Sequence, residues 1–226
     1  MYSNIRGMRG KKASLTEILH EKNPQIFLIT ETQLRSNTGT NIDGYTFYGR
    51  PRGNQPGGGV GILVRNDIRN NVAPHINDRN LEIMWVSIRR KNFPPLFIGT
   101  YYGKQESRTS KEEIEKEMTS LTQEIEETKS NGVILLAMDA NAKIGLLGEN
   151  ESRNGKLMKK VFEETELLIM NEDNKCEGKI TRKNTSNENE ISAIDFVLTT
   201  KDGKESIQKI KNRRRQISKD KREKSH

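Results

Sequence analysis

The run Val133-Ile134-Leu135-Leu136-Ala137-Met138, followed at once by Asp139-Ala140-Asn141, constrains the fold of this chain more than any other segment. An unbroken apolar stretch, reached through Asn131-Gly132 and left through Asp-x-Asn, fits a central strand covered on both faces. Such a strand delivers a carboxylate and an amide at its end, and their alternate positions let both side chains point to one side of the chain. The pair reads in two ways. It is an Asx turn that merely ends the strand, or it is a pair of polar groups aimed into a ligand crevice.

Local signals place the other elements. Residues 2–4 form a first short strand, and Ser14-Leu15-Thr16-Glu17 is a capping box opening a helix that closes before Asn23-Pro24. Residues 25–30 make a second buried strand that ends on Glu31. After a polar loop over 33–43, strands are predicted at 45–49, 60–64, 81–89 and 96–102; with no helix between them, the later ones read as an antiparallel meander. Ser110-Lys111-Glu112-Glu113 is a second capping box, opening a long helix with Ile114, Met118, Leu121 and Ile125 on one face. A third helix spans 154–166 with Leu157, Val161 and Phe162 inward, and short strands follow at 168–170, 179–181 and 193–200. Helical segments alternating with hairpins imply an α+β chain with helices packed over mixed sheets.

Composition narrows the classes. Only 31% of the 226 residues are hydrophobic and 31% are charged, enough for one sizeable domain with a modest core. One cysteine, Cys176, excludes an internal disulfide, and with three histidines it makes no zinc cluster, so a reducing, intracellular setting is expected. No membrane span or signal peptide is visible. Of the net charge of +8, residues 209–226 carry +7 (nine Lys or Arg against two acids), leaving about +1 for the rest. The chain therefore divides into a nearly neutral domain, residues 1–200, and a basic, disordered tail, residues 201–226, able to attract phosphate nonspecifically.

Polar residues at strand ends are the candidates for chemistry: Asn4, Glu31, and Asp139 with Asn141. Asp195 lies inside Ala193-Ile194-Asp195-Phe196-Val197-Leu198, where a buried carboxylate demands a donor, although an edge strand would turn it to solvent. Gly57-Gly58-Gly59 lacks a following Gly-Lys-Ser/Thr and leads into a strand, so it reads as the approach to a hairpin rather than a phosphate cradle. Trp85 reads as strand packing.

In chain order, Asn4-Ile5-Arg6-Gly7, Ile29-Thr30-Glu31-Thr32-Gln33-Leu34, Gly58-Gly59-Val60-Gly61-Ile62-Leu63-Val64, Thr100-Tyr101, Met138-Asp139-Ala140-Asn141 and Ser192-Ala193-Ile194-Asp195-Phe196-Val197 resemble the exonuclease-endonuclease-phosphatase family. Within it they are similar to the apurinic/apyrimidinic-like endonuclease domains of non-long-terminal-repeat retrotransposons. The resemblance covers residues 1 to about 200. It implies a four-layer α/β sandwich, two mixed β-sheets face to face with helices outside. It also implies that Glu31 holds a Mg²⁺ or Mn²⁺ ion with Asn4 beside it, a donor set suited to a hard, hydrated cation. Asp139 would orient and deprotonate the attacking water, Asn141 would donate to the transition state, and Tyr101 would hydrogen-bond a phosphate oxygen, with the adjacent Tyr102 easily confused with it.

The family pattern also has an aspartate matching Asp195 that fixes a histidine within a Ser-Asp-His motif, which opens a last core strand. Here the chain departs from it: His20, in the first helix, and His75, in a loop, do not match, and the only candidate for the phosphate-contacting histidine is His226, preceded by Lys224-Ser225 without the aspartate and with no strand after it. The resemblance thus implies a Mg²⁺-dependent DNA-nicking endonuclease acting inside the cell, the nucleus included, with DNA as partner and a reverse transcriptase domain in a longer element. Two alternatives stand beside it, a phosphatase or phospholipase acting on a small phosphoester and a non-catalytic nucleic-acid binder.

Overall fold

Strands that are apolar on both faces need cover on both sides, and this chain supplies it with four layers. The computed structural model describes residues 1–37, 39–53, 56–76, 79–177, 180–183, 191–208 and 210–211. In chain order the elements are β1 (Tyr2–Asn4), α1 (Lys12–Lys22), β2 (Ile26–Thr30), β3 (Tyr45–Arg50), β4 (Val60–Arg65), β5 (Val72–His75), β6 (Ile83–Arg90) and β7 (Phe93–Tyr102). Then come α2 (Lys111–Asn131), β8 (Val133–Asp139), α3 (Arg153–Thr165), β9 (Leu168–Ile169), β10 (Cys176–Glu177), β11 (Arg182–Lys183), β12 (Ile191–Ser192), β13 (Asp195–Thr199), α4 (Lys201–Ser206) and β14 (Ile210–Lys211).

A four-stranded sheet runs β1-β2-β4-β3 and a six-stranded sheet β5-β6-β7-β8-β13-β9. Both are mixed: β1 lies parallel to β2 and β7 parallel to β8, while their other neighbours are antiparallel. Alternation along each strand divides its side chains between layers. Leu28, Val60, Ile62 and Val64 of the first sheet meet Met84, Val86, Ile98, Tyr102 and Ala137 of the second in the central core. Phe27, Ile29 and Leu63 face the other way, onto Leu15 and Leu19 of α1. On the far side, Ile134, Leu136, Met138, Phe196 and Leu198 pack under α2 and α3. This is the expected four-layer α+β sandwich, and β8 is indeed covered on both faces.

The second capping box is present: Ser110 Oγ accepts from Glu113 N and the Glu113 carboxylate accepts from Ser110 N. All four predicted inward residues of α2 are buried. The first capping box is corrected. Ser14 lies inside α1, because a 3-10 turn over Arg9–Lys11 runs straight into the helix and starts it two residues earlier. The meander is corrected as well. β4 pairs with β2 and β3 in the first sheet, whereas β6 and β7 form a hairpin in the second, so the chain changes sheets between β4 and β6. The same crossing carries β5, and His75, expected in a loop, sits on that strand with Nε2 against Ser87 Oγ at 3.1 Å.

Beyond residue 200 the described residues include α4 and β14. Gly203 of α4 packs so closely against Thr199 and Val133 that a side chain could not fit, and β14 pairs with β10. Among the described residues, no strand after β13 joins either large sheet. The predicted strand over 179–181 falls partly outside the described residues, and the described pairing there is β11 with β12. Residues 212–226, His226 among them, lie outside the described residues.

The outer core contains buried carboxylates paired with aromatic donors. Trp85 Nε1 donates to Glu124 Oε1 at 2.9 Å, and Tyr101 Oη donates to Glu117 Oε1 at 2.9 Å. Burial pushes the Glu117 carboxyl up to about 7 from its ordinary 4.5, against the pull of the Tyr101 hydroxyl and of Lys104. The folded state thus holds this proton more tightly than the unfolded chain, so its contribution is intact at low pH and is lost as pH rises through about 7. Glu117→Gln keeps an acceptor for Tyr101 and removes the titration. It should match the wild type near pH 4, below the unfolded value, and exceed it by about 1–3 kcal/mol near pH 8 in urea unfolding.

Candidate active site

Strand parity and register assemble the site. β7 and β8 run parallel with Tyr102 beside Asp139, and β13 pairs antiparallel with β8 so that Asp195 lies directly opposite Asp139. All three share the parity of Ile98, Ala137 and Val197, which face the first sheet. Ala140 N donates to Ile194 O at 2.8 Å, a hydrogen bond that flanks the Asp139–Asp195 pair. Side chains at such a position approach most closely in an antiparallel ladder. Two carboxylates therefore face each other at the edge of an apolar core.

The first sheet brings the complementary groups. Asn4 Nδ2 donates to Glu31 Oε1 and to Asp139 Oδ2, each at 2.7 Å, so one amide bridges two carboxylates. Asn4 Oδ1 accepts from Arg6 N at 3.2 Å. Asp139 Oδ1 accepts from Asn141 N at 3.1 Å, and Asn141 Nδ2 donates to Gly103 O at 2.8 Å. The Asx turn and the site are thus one structure. Glu31 and Asn141 hold left-handed backbones, φ +52° and +47°, as do Arg6 and Gln33 beside them. Left-handed non-glycine residues gathered in one place mark a segment held by its surroundings.

Burial dominates the electrostatics. It raises Asp139 to about 7, and the facing Asp195 charge adds to this, against donation from Asn4 and Asn141 N–H. Asp195 is raised for the same leading reason, opposed by the hydroxyls of Tyr2 and Thr181. Burial also raises Tyr102, whose hydroxyl feels the Glu31 charge and the Asn141 side chain. Among the described residues no Lys or Arg forms an ion pair with Glu31, Asp139 or Asp195. Nor do three or more His, Cys, Asp or Glu gather there as a ready metal cage. A bridged pair of carboxylates with an amide, all oxygen-bearing, fits a cation that takes one or two carboxylates and keeps its waters.

Asn4, Glu31, Asp139, Asn141 and Asp195, picked out by sequence, come together here. Tyr101 does not and is corrected: it is fully buried on the opposite face of the second sheet, its hydroxyl on Glu117. Tyr102 takes its place, because residues 98 and 102 share a parity that 101 does not. The expected role of His226 falls outside the described residues. His20 lies on α1 and His75 on β5, away from this cluster.

Sequence reasoning missed Tyr2, Thr181 and Arg52. Tyr2 Oη donates to Asp195 Oδ1 at 2.8 Å, and Thr181 Oγ1 accepts from Asp195 N at 3.1 Å. The Arg52 guanidinium lies 5.7 Å from the centre of the Tyr102 ring and pairs with Glu82, which also accepts from Gly59 N. Gly58 and Gly59, at φ +60° and +81°, thus form the tight approach to β4, as the sequence suggested. The period-2 alternation of β7 and β1 carried the signal for both tyrosines. Nothing local marks Thr181 or Arg52.

The Endonuclease/Exonuclease/phosphatase family matches residues 1–205. No curated protein matches the chain. Among solved structures, it is similar to the endonuclease domain of TRAS1, a telomere-specific non-LTR retrotransposon, at 17% identity and a TM-score of 0.62, covering 89% of this chain and 83% of that one. An AP endonuclease from Leishmania major aligns at 11% identity and TM-score 0.70, with 88% and 78% covered. A mannosyl-6-phosphatase from Bacteroides thetaiotaomicron aligns at 14% and 0.58, with 88% and 84% covered. At these identities the likeness establishes the fold. Among the described residues no helix is long and apolar enough to cross a membrane.

The facing carboxylates should titrate as a pair. In metal-free protein, the ¹³C signal of the Asp139 carboxyl should report an apparent pKa near 7, and Asp195→Asn should move it downward by removing the opposing charge. An unmoved titration would show that the two carboxylates do not interact.

Proposed function

The chain belongs to the Endonuclease/Exonuclease/phosphatase family, and from that premise we propose that it is a Mg²⁺-dependent phosphodiesterase that nicks DNA by attack of water on a backbone phosphate. The observation that carries this reading is the Asn4 amide bridging Glu31 and Asp139 at the end of the row Tyr102, Asp139, Asp195. Glu31, with Asn4 beside it, would hold Mg²⁺ or Mn²⁺, which supplies positive charge to the phosphate and to the departing oxygen.

The chain's own residues do the rest. Asp139, aimed by Asn4 and by the Asn141 N–H, orients the attacking water and takes its proton. Asn141, its left-handed backbone fixed by the Asx turn, presents its amide to the phosphoryl oxygens as charge grows on them. The Tyr102 hydroxyl, beside Asn141 and 3.2 Å from Gln105 Nε2, donates to a phosphate oxygen in the role expected of Tyr101. Arg6 is exposed, and its charge is felt by Asp195, so it adds attraction for a polyanionic backbone. DNA is the partner this reading names, with a reverse transcriptase as part of the longer element.

Supercoiled DNA incubated with the protein and Mg²⁺ should be converted to the nicked form, with at least a hundredfold loss in Asp139→Ala. Tyr102→Phe should slow nicking roughly tenfold, while Tyr101→Phe should lower stability and leave turnover per folded molecule intact. Nicking equal to that of Asp139→Ala would remove the activity. Hydrolysis of small phosphoesters with no cleavage of DNA would favour the phosphatase reading, and DNA binding with neither reaction would leave a non-catalytic binder.

A further inference from the structure

The apolar core between the sheets would be packed most simply by an apolar residue at position 2, yet the chain places a tyrosine there. Tyr2 packs among the inter-sheet residues, and its hydroxyl crosses to the second sheet, donating to Asp195 Oδ1 at 2.8 Å and lying 3.2 Å from Thr30 Oγ1. A hydroxyl carried into such a core costs stability unless it is paired. Its pairing is with a carboxylate, which makes it one of the stronger hydrogen bonds of the site.

The main chain at Asp195 is fixed independently. Ile194 N and Asp195 N both donate to Thr181 Oγ1, at 2.9 and 3.1 Å. Asn171 Nδ2 donates to Asp195 O at 3.0 Å, and Asn171 Oδ1 accepts from Val197 N at 2.9 Å, in the manner of an extra strand. Position is therefore secured without Tyr2. Orientation of the carboxylate is a separate matter, because Asp139 lies directly opposite with its own donors, Asn4 Nδ2 and Asn141 N. Two adjacent carboxylates compete for any shared donor, and each needs one the other cannot take. For Asp195 those donors are the Thr181 hydroxyl and, from β1, the Tyr2 hydroxyl.

We propose that Tyr2 is a positioning residue of the hydrolytic site. Through its bond to Asp195 Oδ1 it draws that carboxylate toward β1, so that Asp139 keeps Asn4 and Asn141 N–H and stays aimed at the attacking water. The inference rests on the phosphodiesterase reading above. Tyr2 touches neither water nor phosphate; it acts through Asp195. The same hydroxyl ties β1 to the second sheet, so the orientation of the carboxylates depends on how the two sheets dock.

The test is a double-mutant cycle in Mg²⁺-dependent DNA nicking, with the folded fraction of each variant taken from thermal melts. Tyr2→Phe keeps the ring and removes the hydroxyl; it should lower kcat roughly tenfold with KM within about twofold. In an Asp195→Asn background the same change should cost less than about twofold more. Tyr2→Leu also lacks the hydroxyl and carries the same expectation should the phenylalanine variant fold poorly. Tyr45→Phe is the control, since that hydroxyl donates to Pro24 O at 2.9 Å on the α1 side of the first sheet and should leave kcat unchanged. A kcat for Tyr2→Phe equal to that of the control, or effects of Tyr2 and Asp195 that simply multiply, would overturn the inference while leaving the phosphodiesterase reading in place. An inactive wild type would overturn both.

Discussion

Asp139 and Asp195 face each other across an antiparallel pair, at the edge of the apolar core between two sheets. Neither forms an ion pair with a lysine or arginine among the described residues. Withdrawing two like charges from water is costly, and the fold answers with neutral donors from separate elements: the Asn4 amide and Tyr2 hydroxyl from β1, and the Asn141 N–H after β8. The site is therefore complete only when the sheets are docked. Any loosening of the central core is felt directly in the geometry of both carboxylates.

The backbone turns that leave the strands serve the same arrangement. After β8 the chain reverses through the Asx turn at Asp139, and Gly103 N donates back to Asp139 O at 2.8 Å while Gly103 O accepts from Asn141 Nδ2. Gly103 packs against Ala140 so closely that a side chain would collide with its carbonyl, which explains the residue at that point without any appeal to φ. Glu31 departs from the alternation of β2, since its left-handed backbone turns it from the α1 side toward Asn4. Turn chemistry here places the functional groups instead of merely ending strands.

What could be read from sequence follows from this. Strand parity and a continuous apolar run expose β8 and its terminal carboxylate, because those properties belong to single residues in order. They also contain the answer for Tyr102 against Tyr101, which residue type alone does not distinguish, since both are tyrosines and both are buried. Sheet membership is different in kind. β4 and β6 look like neighbours in a meander, but the choice between pairing and crossing to the other sheet is made by packing that no local pattern records. Thr181 and Arg52 join the site through a side chain reaching across loops, and Ser14 loses its capping role to a 3-10 turn that begins before it. Such contacts arise only from the tertiary arrangement.

Buried carboxylates of α2 lie against the other side of the second sheet, and the contrast sets the inner edge apart. Glu117 and Glu124 each meet an aromatic donor, and Glu117, pushed up to about 7, can take up a proton and remain in an apolar setting. Asp139 reaches a similar value but sits beside partly exposed Glu31, with which it shares the Asn4 amide, and accepts from the Asn141 N–H. In the phosphodiesterase reading proposed above, a carboxyl with balanced protonated and ionised forms, beside a carboxylate that would hold a cation, is suited to receiving a proton from water. Carried on the buried face of α2, Glu117 has the balance without the neighbour or the access. Both carboxyls are perturbed mainly by burial, so it is the company each keeps, and not the perturbation, that separates the candidate for catalysis from the structural acid.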